Sequence, residues 1–203
     1  ITGINGKIGT NSGGISGYAS GIHIGDEHIA DALTAQAQID LDNAYNELML
    51  LPITGVHLAA AFGAGETLSP GVYHIAAAGS LGGTITLDAA GDPDAIFVIR
   101  FAGAFTVAAQ SKIILANGAK RCNVFWLGGA GVVTGAVNIG AGSVLKGNFI
   151  SHGGACNTGA GVFLAGRQLS TNGAVNTNTG ILYNNPECVT STPLPSMANI
   201  IIS

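Results

Sequence analysis

The strongest constraint on this chain is a phrase that returns on a fixed beat. Gly135-Ala136-Val137-Asn138 is followed 19 residues later by Gly154-Ala155-Cys156-Asn157, and after another 19 by Gly173-Ala174-Val175-Asn176. The text between the phrases is parallel too: Val144-Leu145-Lys146-Gly147 answers Phe163-Leu164-Ala165-Gly166. Looser copies stand at Gly103-Ala104-Phe105-Thr106, Thr2-Gly3-Ile4-Asn5 and Gly13-Gly14-Ile15-Ser16. A repeat of this length is one structural unit that buries its apolar side only against its neighbours. It is too short for a pair of helices. It suits one turn of a β-solenoid, with three short strands joined by tight corners where glycine relieves crowding. Side chains alternate across a strand, so Val137, Cys156 and Val175 should face the core and Asn138, Asn157 and Asn176 the outside. The outer set then forms a ladder with one rung per coil, about 4.7 Å apart.

Composition agrees with a solenoid whose outer faces carry small neutral side chains. Only 9% of residues are charged and 32 of the 203 are glycine, against roughly 25% charged in an average domain. Mean hydropathy is +0.45, yet no run of apolar residues is long enough to span a membrane. Disorder is not expected, because disordered chains are charged and poor in apolar residues. Net charge is −4 and the seven basic residues are scattered, which argues against a nucleic-acid partner. A chain that begins at Ile1 fits a processed N-terminus.

The whole chain, 1–203, reads as a single domain. One long helix is expected over about 26–51, with Ile29, Leu33, Ala37, Leu41, Ala44, Leu48 and Leu51 as its apolar stripe and Gln36, Asp40, Asn43 and Glu47 facing water. Asp26 and Glu27 suit its first turn and Pro52 stops it. At 1.5 Å per residue it is roughly 39 Å long, the height of about eight coils, so it can cover one solenoid face. Residues 53–75 return the chain to the solenoid, and Thr84-Ile85-Thr86-Leu87 alternates like a coil strand. Gly91-Asp92-Pro93-Asp94 turns into the strand Ala95-Ile96-Phe97-Val98-Ile99. Residues 100–126 form one long coil or a coil with an insertion, the regular coils occupy about 124–185, and the proline-bearing tail 186–203 caps the last coil.

The period also sorts the cysteines. Cys156 stands where Val137 and Val175 stand in neighbouring coils and reads as a packing residue. Cys122 and Cys188 flank the repeat block. Either they form a disulfide, implying an oxidising compartment, or all three are buried thiols; the pairing is the expectation.

Catalytic patterns are missing from the sequence. The five histidines are scattered, and neither a zinc-ligand spacing nor a nucleophile elbow occurs. Asp88, Asp92 and Asp94 form one acidic cluster, which could hold Ca²⁺ but suits turn-forming aspartates better. Arg100, Arg121 and Arg167 have no evident carboxylate partners in register, so a polysaccharide-cleaving solenoid is disfavoured. No cofactor is expected.

What remains is an outer face carrying Thr2, Asn5, Ser16, Thr84, Thr86, Thr106, Asn138, Asn157 and Asn176, with alanines and glycines between. Such a face is flat, uncharged and repetitive, and can hold water in an array that matches ice. Alternatively the ladders only solvate a solenoid face, or the face binds a carbohydrate polymer. Exposed aromatic platforms at Tyr18, Tyr73 and Tyr183 would favour the last.

The sequence resembles the bacterial and fungal ice-binding proteins of the DUF3494 type. The matching segments include Ile4-Asn5-Gly6-Lys7-Ile8-Gly9, Ala44-Tyr45-Asn46-Glu47-Leu48, Leu68-Ser69-Pro70-Gly71-Val72-Tyr73 and Gly83-Thr84-Ile85-Thr86-Leu87-Asp88. They continue with Gly91-Asp92-Pro93-Asp94-Ala95-Ile96-Phe97, Asn123-Val124-Phe125-Trp126 and Gly166-Arg167-Gln168-Leu169. The resemblance implies a discontinuous right-handed parallel β-solenoid with a helix packed alongside. It implies secretion, adsorption of a monomer to the ice crystal surface, thermal hysteresis, inhibition of ice recrystallisation, and no catalysis. Some members carry a T-A/G-x-T/N motif; Thr2-Gly3-Ile4-Asn5 matches it, whereas the copies at 103, 135, 154 and 173 have Gly in the first place. A competing face would run through Ser151-His152 and Ser170-Thr171. The Cys before Asn-Val-Phe-Trp and the late Cys also look like a subset of the family, in keeping with the Cys122–Cys188 pairing.

Overall fold

The computed structural model describes residues 3–16, 22–131, 134–184 and 200–202. Its strands are short and pair in parallel into a stack of coils with three faces. One face, here the ladder face, is built from Ala61–Gly63, Gly79–Gly82, Phe105–Val107, Gly135–Ile139, Gly153–Thr158 and Val175–Asn176, neighbours in that order. A second, the open face, runs from Thr67–Leu68 through Thr84–Asp88, Lys112–Ala116 and the first halves of Val144–Ser151 and Phe163–Ser170 to Leu182–Asn184. The third, the helix face, holds Gly71–Ile75, Phe97–Phe101, Val124–Gly128 and the second halves of the same two long strands. Those strands bend from one face to the next at Gly147 and Gly166. Gly147 has φ +116°, and a Cβ on Gly166 would collide with the Gly147 carbonyl, so only glycine fits.

Partners on neighbouring coils are offset by 19 residues where Val144 meets Phe163 and Phe163 meets Leu182. Earlier coils are longer, and the single coil expected between 100 and 126 is shared among three strands, one on each face. The stacking order is discontinuous. Gly3–Asn5 pairs with Leu182–Asn184 on one side and Ile22–Ile24 on the other. The first residues thus lie on the last regular coil, and the helix runs back to the far end, where residues 53–75 re-enter the stack. Ile200–Ile202 pairs with Lys7–Thr10, which pairs with Glu27–Ile29. The expected cap over 186–203 otherwise lies outside the described residues.

Alternate strand residues point inward and fill the coils. Phe101, Phe105, Trp126 and Phe149 stack through the interior, with centroids 4.6, 5.3 and 6.3 Å apart in succession. Leu81, Ile85, Leu87, Ile113, Leu145 and Leu164 surround them, fully or almost fully buried.

The helix is shorter than its stripe suggests. It spans Ala32–Leu50, 19 residues, or roughly 28 Å and about six coils. Residues 26–31 do not join it, because Glu27–Ile29 pair with Ile8–Thr10. Asp31 then caps the helix: its side chain accepts from the Thr34 N–H and Thr34 Oγ1 accepts from the Asp31 N–H, a reciprocal box that stops the helix from extending backwards. The buried stripe is rotated too. Leu41 and Leu48 are buried as expected, but Thr34 and Tyr45 join them while Ile29 and Leu33 stay about half exposed. Leu41, Tyr45 and Leu48 pack on Val72, Val98, Leu127, Ile150 and Leu169, the outward residues of the helix face. Tyr45 Oη donates to the Gly129 carbonyl (2.9 Å) and its ring stacks on His152. Arg100 Nη1 donates to the Leu48 and Met49 carbonyls (3.0 and 2.8 Å), placing a cation on the negative end of the helix.

This packing separates the two leucines of the stripe. Leu41→Ala should cost about 2–5 kcal/mol in chemical denaturation, and Leu33→Ala less than about 1 kcal/mol. Equal losses would contradict the observed helix rotation.

Candidate functional site

The ladder face presents small side chains in a single register. Its outward row runs Ala61, Ser80, Thr106, Asn138, Asn157, Asn176, one residue per coil and in register. Alanines 104, 136, 155 and 174 come two residues before the last four rungs. None of the six strands on this face contains a charged residue or a histidine. The three asparagines bond to one another: Asn157 Nδ2 donates to Asn138 Oδ1, and Asn176 Nδ2 to Asn157 Oδ1, both at 2.8 Å. Each bonded amide keeps a second N–H and an acceptor site for water. The ladder therefore fixes the side-chain rotamers and presents polar groups at the strand spacing of about 4.8 Å. The inward neighbours Val137 and Cys156 are fully buried, and Val175 packs against the same core.

The residues nominated from sequence divide between faces. Thr106, Asn138, Asn157 and Asn176 share the ladder row. Thr84, Thr86 and Asn5 lie on the open face instead. There Thr84 is in line with Lys112 and Val144, Thr86 with Thr67 and Ile114, and Asn5 with Asn184 and Ile24. Period-2 alternation tells inside from outside but not one outer face from another. Ser16 is exposed beyond the last ladder strand and lines a cleft with Asn176 and Thr177. Thr2 lies outside the described residues, as does Cys188. The row gains one residue that sequence reasoning missed, Ser80. It pairs with Thr106 across a coil that breaks the 19-residue beat, and Gly79-Ser80-Leu81-Gly82 lacks the repeated phrase.

The competing face through Ser151-His152 and Ser170-Thr171 is not a surface. Ser151, Ser170 and Thr171 are buried, and the two serines donate to the Gly154 carbonyl (2.8 and 2.9 Å). His152 lies against Tyr45, and Gln38 Nε2 donates to the Thr171 carbonyl at 2.5 Å. The helix occupies this side. Tyr73 and Tyr183 are buried as well, so neither offers a stacking platform for a sugar; Tyr18 lies outside the described residues.

The acidic cluster consists of turn residues. Asp88 accepts from the Ala90 N–H (2.7 Å) and from Asn117 Nδ2, and Asp92 accepts from the Asp94 N–H (2.9 Å). The Ala90 bond, then Asn117, holds the Asp88 carboxyl below its ordinary range. No group of three or more metal-ligating side chains occurs among the described residues. Cys156 is a free cysteine whose thiol burial pushes up to about 12.

A family model described as ice-binding-like matches residues 1–181. The chain belongs to that family. It is 35% identical over 150 residues to an ice-binding protein from Nostoc sp. (strain HG1), covering 71% of this chain and 52% of that protein. The crystal structure of an ice-binding protein from an Antarctic Flavobacteriaceae bacterium superposes with TM-score 0.84 at 34% identity, covering 94% of this chain and 43% of that one. An ice-binding protein from the Antarctic ascomycete Antarctomyces psychrotrophicus gives 0.79 at 32%, covering 92% and 88%. The family member described here thus spans about half the length of its Nostoc relative. Its parallel sheets and, among the described residues, single long helix are the architecture expected from the resemblance.

Asn157 sits at the centre of the amide ladder, so Asn157→Ala removes both ladder bonds. The expected cost is about 1 kcal/mol in denaturant melts, because each bond is partly solvent-exposed. Asn176→Ala should cost less, since it removes one.

Proposed function

We propose that this chain adsorbs to ice through the ladder face and so produces thermal hysteresis and slows recrystallisation, without catalysis. The observation that carries the reading is the in-register row Ser80–Thr106–Asn138–Asn157–Asn176 on a surface without charge. A charge orders its own hydration shell and would break a lattice. Amides and hydroxyls at strand spacing beside alanine methyls instead hold water in an array that can merge with ice. Each rung contributes weakly, and near-irreversible adsorption comes from many rungs acting at once. The names of the relatives support the same reading.

The test is ice-crystal shape and hysteresis in a nanolitre osmometer. Wild type should facet ice. Asn157→Tyr, which raises a bulky ring from the centre of the face, should lose most of the hysteresis. Gln36→Tyr on the exposed side of the helix should keep it. Loss in both variants, or in neither, would move the ice contact off the ladder face; unshaped ice with wild type would remove the function itself.

We further propose that the protein is secreted and that Cys122 pairs with Cys188. Peptide mapping without reductant should recover a Cys122–Cys188 cross-linked peptide, and the native protein should show no alkylatable thiol, because Cys156 is buried and its thiolate is disfavoured. Alkylation of Cys122 in the native state would exclude the pairing.

A further inference from the structure

We propose that the end of the solenoid formed by Ala61–Gly63 and Thr67–Leu68 is a homodimer interface, where a second copy of this chain packs end to end. The inference is independent of the ice-binding reading. The segment between the helix and the strand Ala61–Gly63 crosses this end. Thr54 and Gly55 N–H groups both donate to the Val72 carbonyl (3.0 Å each), Thr54 Oγ1 accepts from the Val72 N–H, and Gly55 packs on the Tyr73 ring. Farther on, His57 is stacked on Phe62 and held by the Ala59 carbonyl and Glu66. The segment is thus a fixed strap, yet its apolar side chains are exposed. Leu58 and Val56 on the strap and Leu50 at the end of the helix are 98, 82 and 83% exposed, the highest values among the large hydrophobic side chains of the described residues, and Ile53 is 58% exposed.

Three observations point to a second copy as the occupant. The first is area. At those exposures the four side chains offer roughly 600 Å², against the about 800 Å² that each partner contributes to a standard interface. An exposed apolar surface of that size exceeds ordinary surface scatter. The second is charge. From Leu48 to Gly65 the chain carries no Asp, Glu, Lys or Arg, and the flanking Glu66 carboxylate is turned onto His57 and the Gly63 N–H, so the apolar strap can meet its own image across a two-fold axis with little like-charge repulsion. The third is the backbone. Ala61–Gly63 and Thr67–Leu68 are the terminal strands of their sheets and pair on one side only among the described residues. A bare solenoid end is costly to leave open, and two such ends cover each other. Because the strap is already ordered, little conformational freedom is lost on docking. The arrangement replaces the monomer expected from sequence, and it leaves the ladder face of both copies uncovered.

Sedimentation velocity across the micromolar range tests this. Wild type should sediment at twice its 20.2 kDa mass. Val56→Glu with Leu58→Glu, which brings like charges together at the interface, should sediment as a monomer with an unchanged far-ultraviolet circular dichroism spectrum. Ile114→Glu, on the open face, should remain dimeric. Wild type that stays monomeric throughout the range overturns the proposal. So does a dimer that survives the strap substitutions but not Ile114→Glu. A monomer that floats with uncharged phosphatidylcholine vesicles overturns it too, and assigns the strap to a lipid surface. None of these readouts involves ice, so they separate this proposal from the adsorption reading.

Discussion

The column of rings formed by Phe101, Phe105, Trp126 and Phe149 fills the interior where the coils would otherwise enclose a void. A thin solenoid has no second layer to draw on, so each coil must be filled by its own inward residues and those of its neighbours. Once the column sets the spacing, the parallel ladders fix every outward residue above its counterpart. The order of the asparagine amides is a consequence of that interior. So is the apolar patch of Val98, Leu127, Ile150 and Leu169 on the helix face, which provides a seat for Leu41, Tyr45 and Leu48.

The three faces then carry different chemistry on one backbone plan. The helix face carries an outward apolar patch beside Arg100 and His74, and the helix covers it. The open face carries Lys112 and Lys146 among threonines and aliphatic side chains. The ladder face has no charge at all. A long helix along one side removes one of the three faces from solvent, and the buried serines at its edge show how completely. Their hydroxyls turn inward to carbonyls because no water is available there.

Much of this could be read from the sequence, and the rest was hidden for physical reasons. The 19-residue beat placed Asn138, Asn157 and Asn176 on one row and Cys156 in the core, because alternation and register follow directly from strand geometry. It could not say that Thr84, Thr86 and Asn5 belong to another face: an outward threonine looks the same in every strand of a coil. Ser80 was missed because coil length changes upstream while the hydrogen-bonded register does not. The helix stripe ran too far forward, since Ile29 belongs to a strand that pairs with Ile8–Thr10. Tyr45 was overlooked because its burial depends on a carbonyl of Gly129 84 residues away.

The discontinuous stacking carries a kinetic consequence. Gly3–Asn5 has a nearby partner in Ile22–Ile24 on one side, but on the other it pairs only with Leu182–Asn184, far along the chain. Non-local pairing of this kind closes late and folds slowly. On the ribosome Gly3–Asn5 emerges long before Leu182–Asn184, and one of its edges stays unsatisfied until that coil is made. The early glycine-rich, weakly charged segment is therefore the part of the nascent chain most in need of protection from self-association. Its final docking joins strands far apart in the chain, so the strand that waits longest is the one that completes the fold.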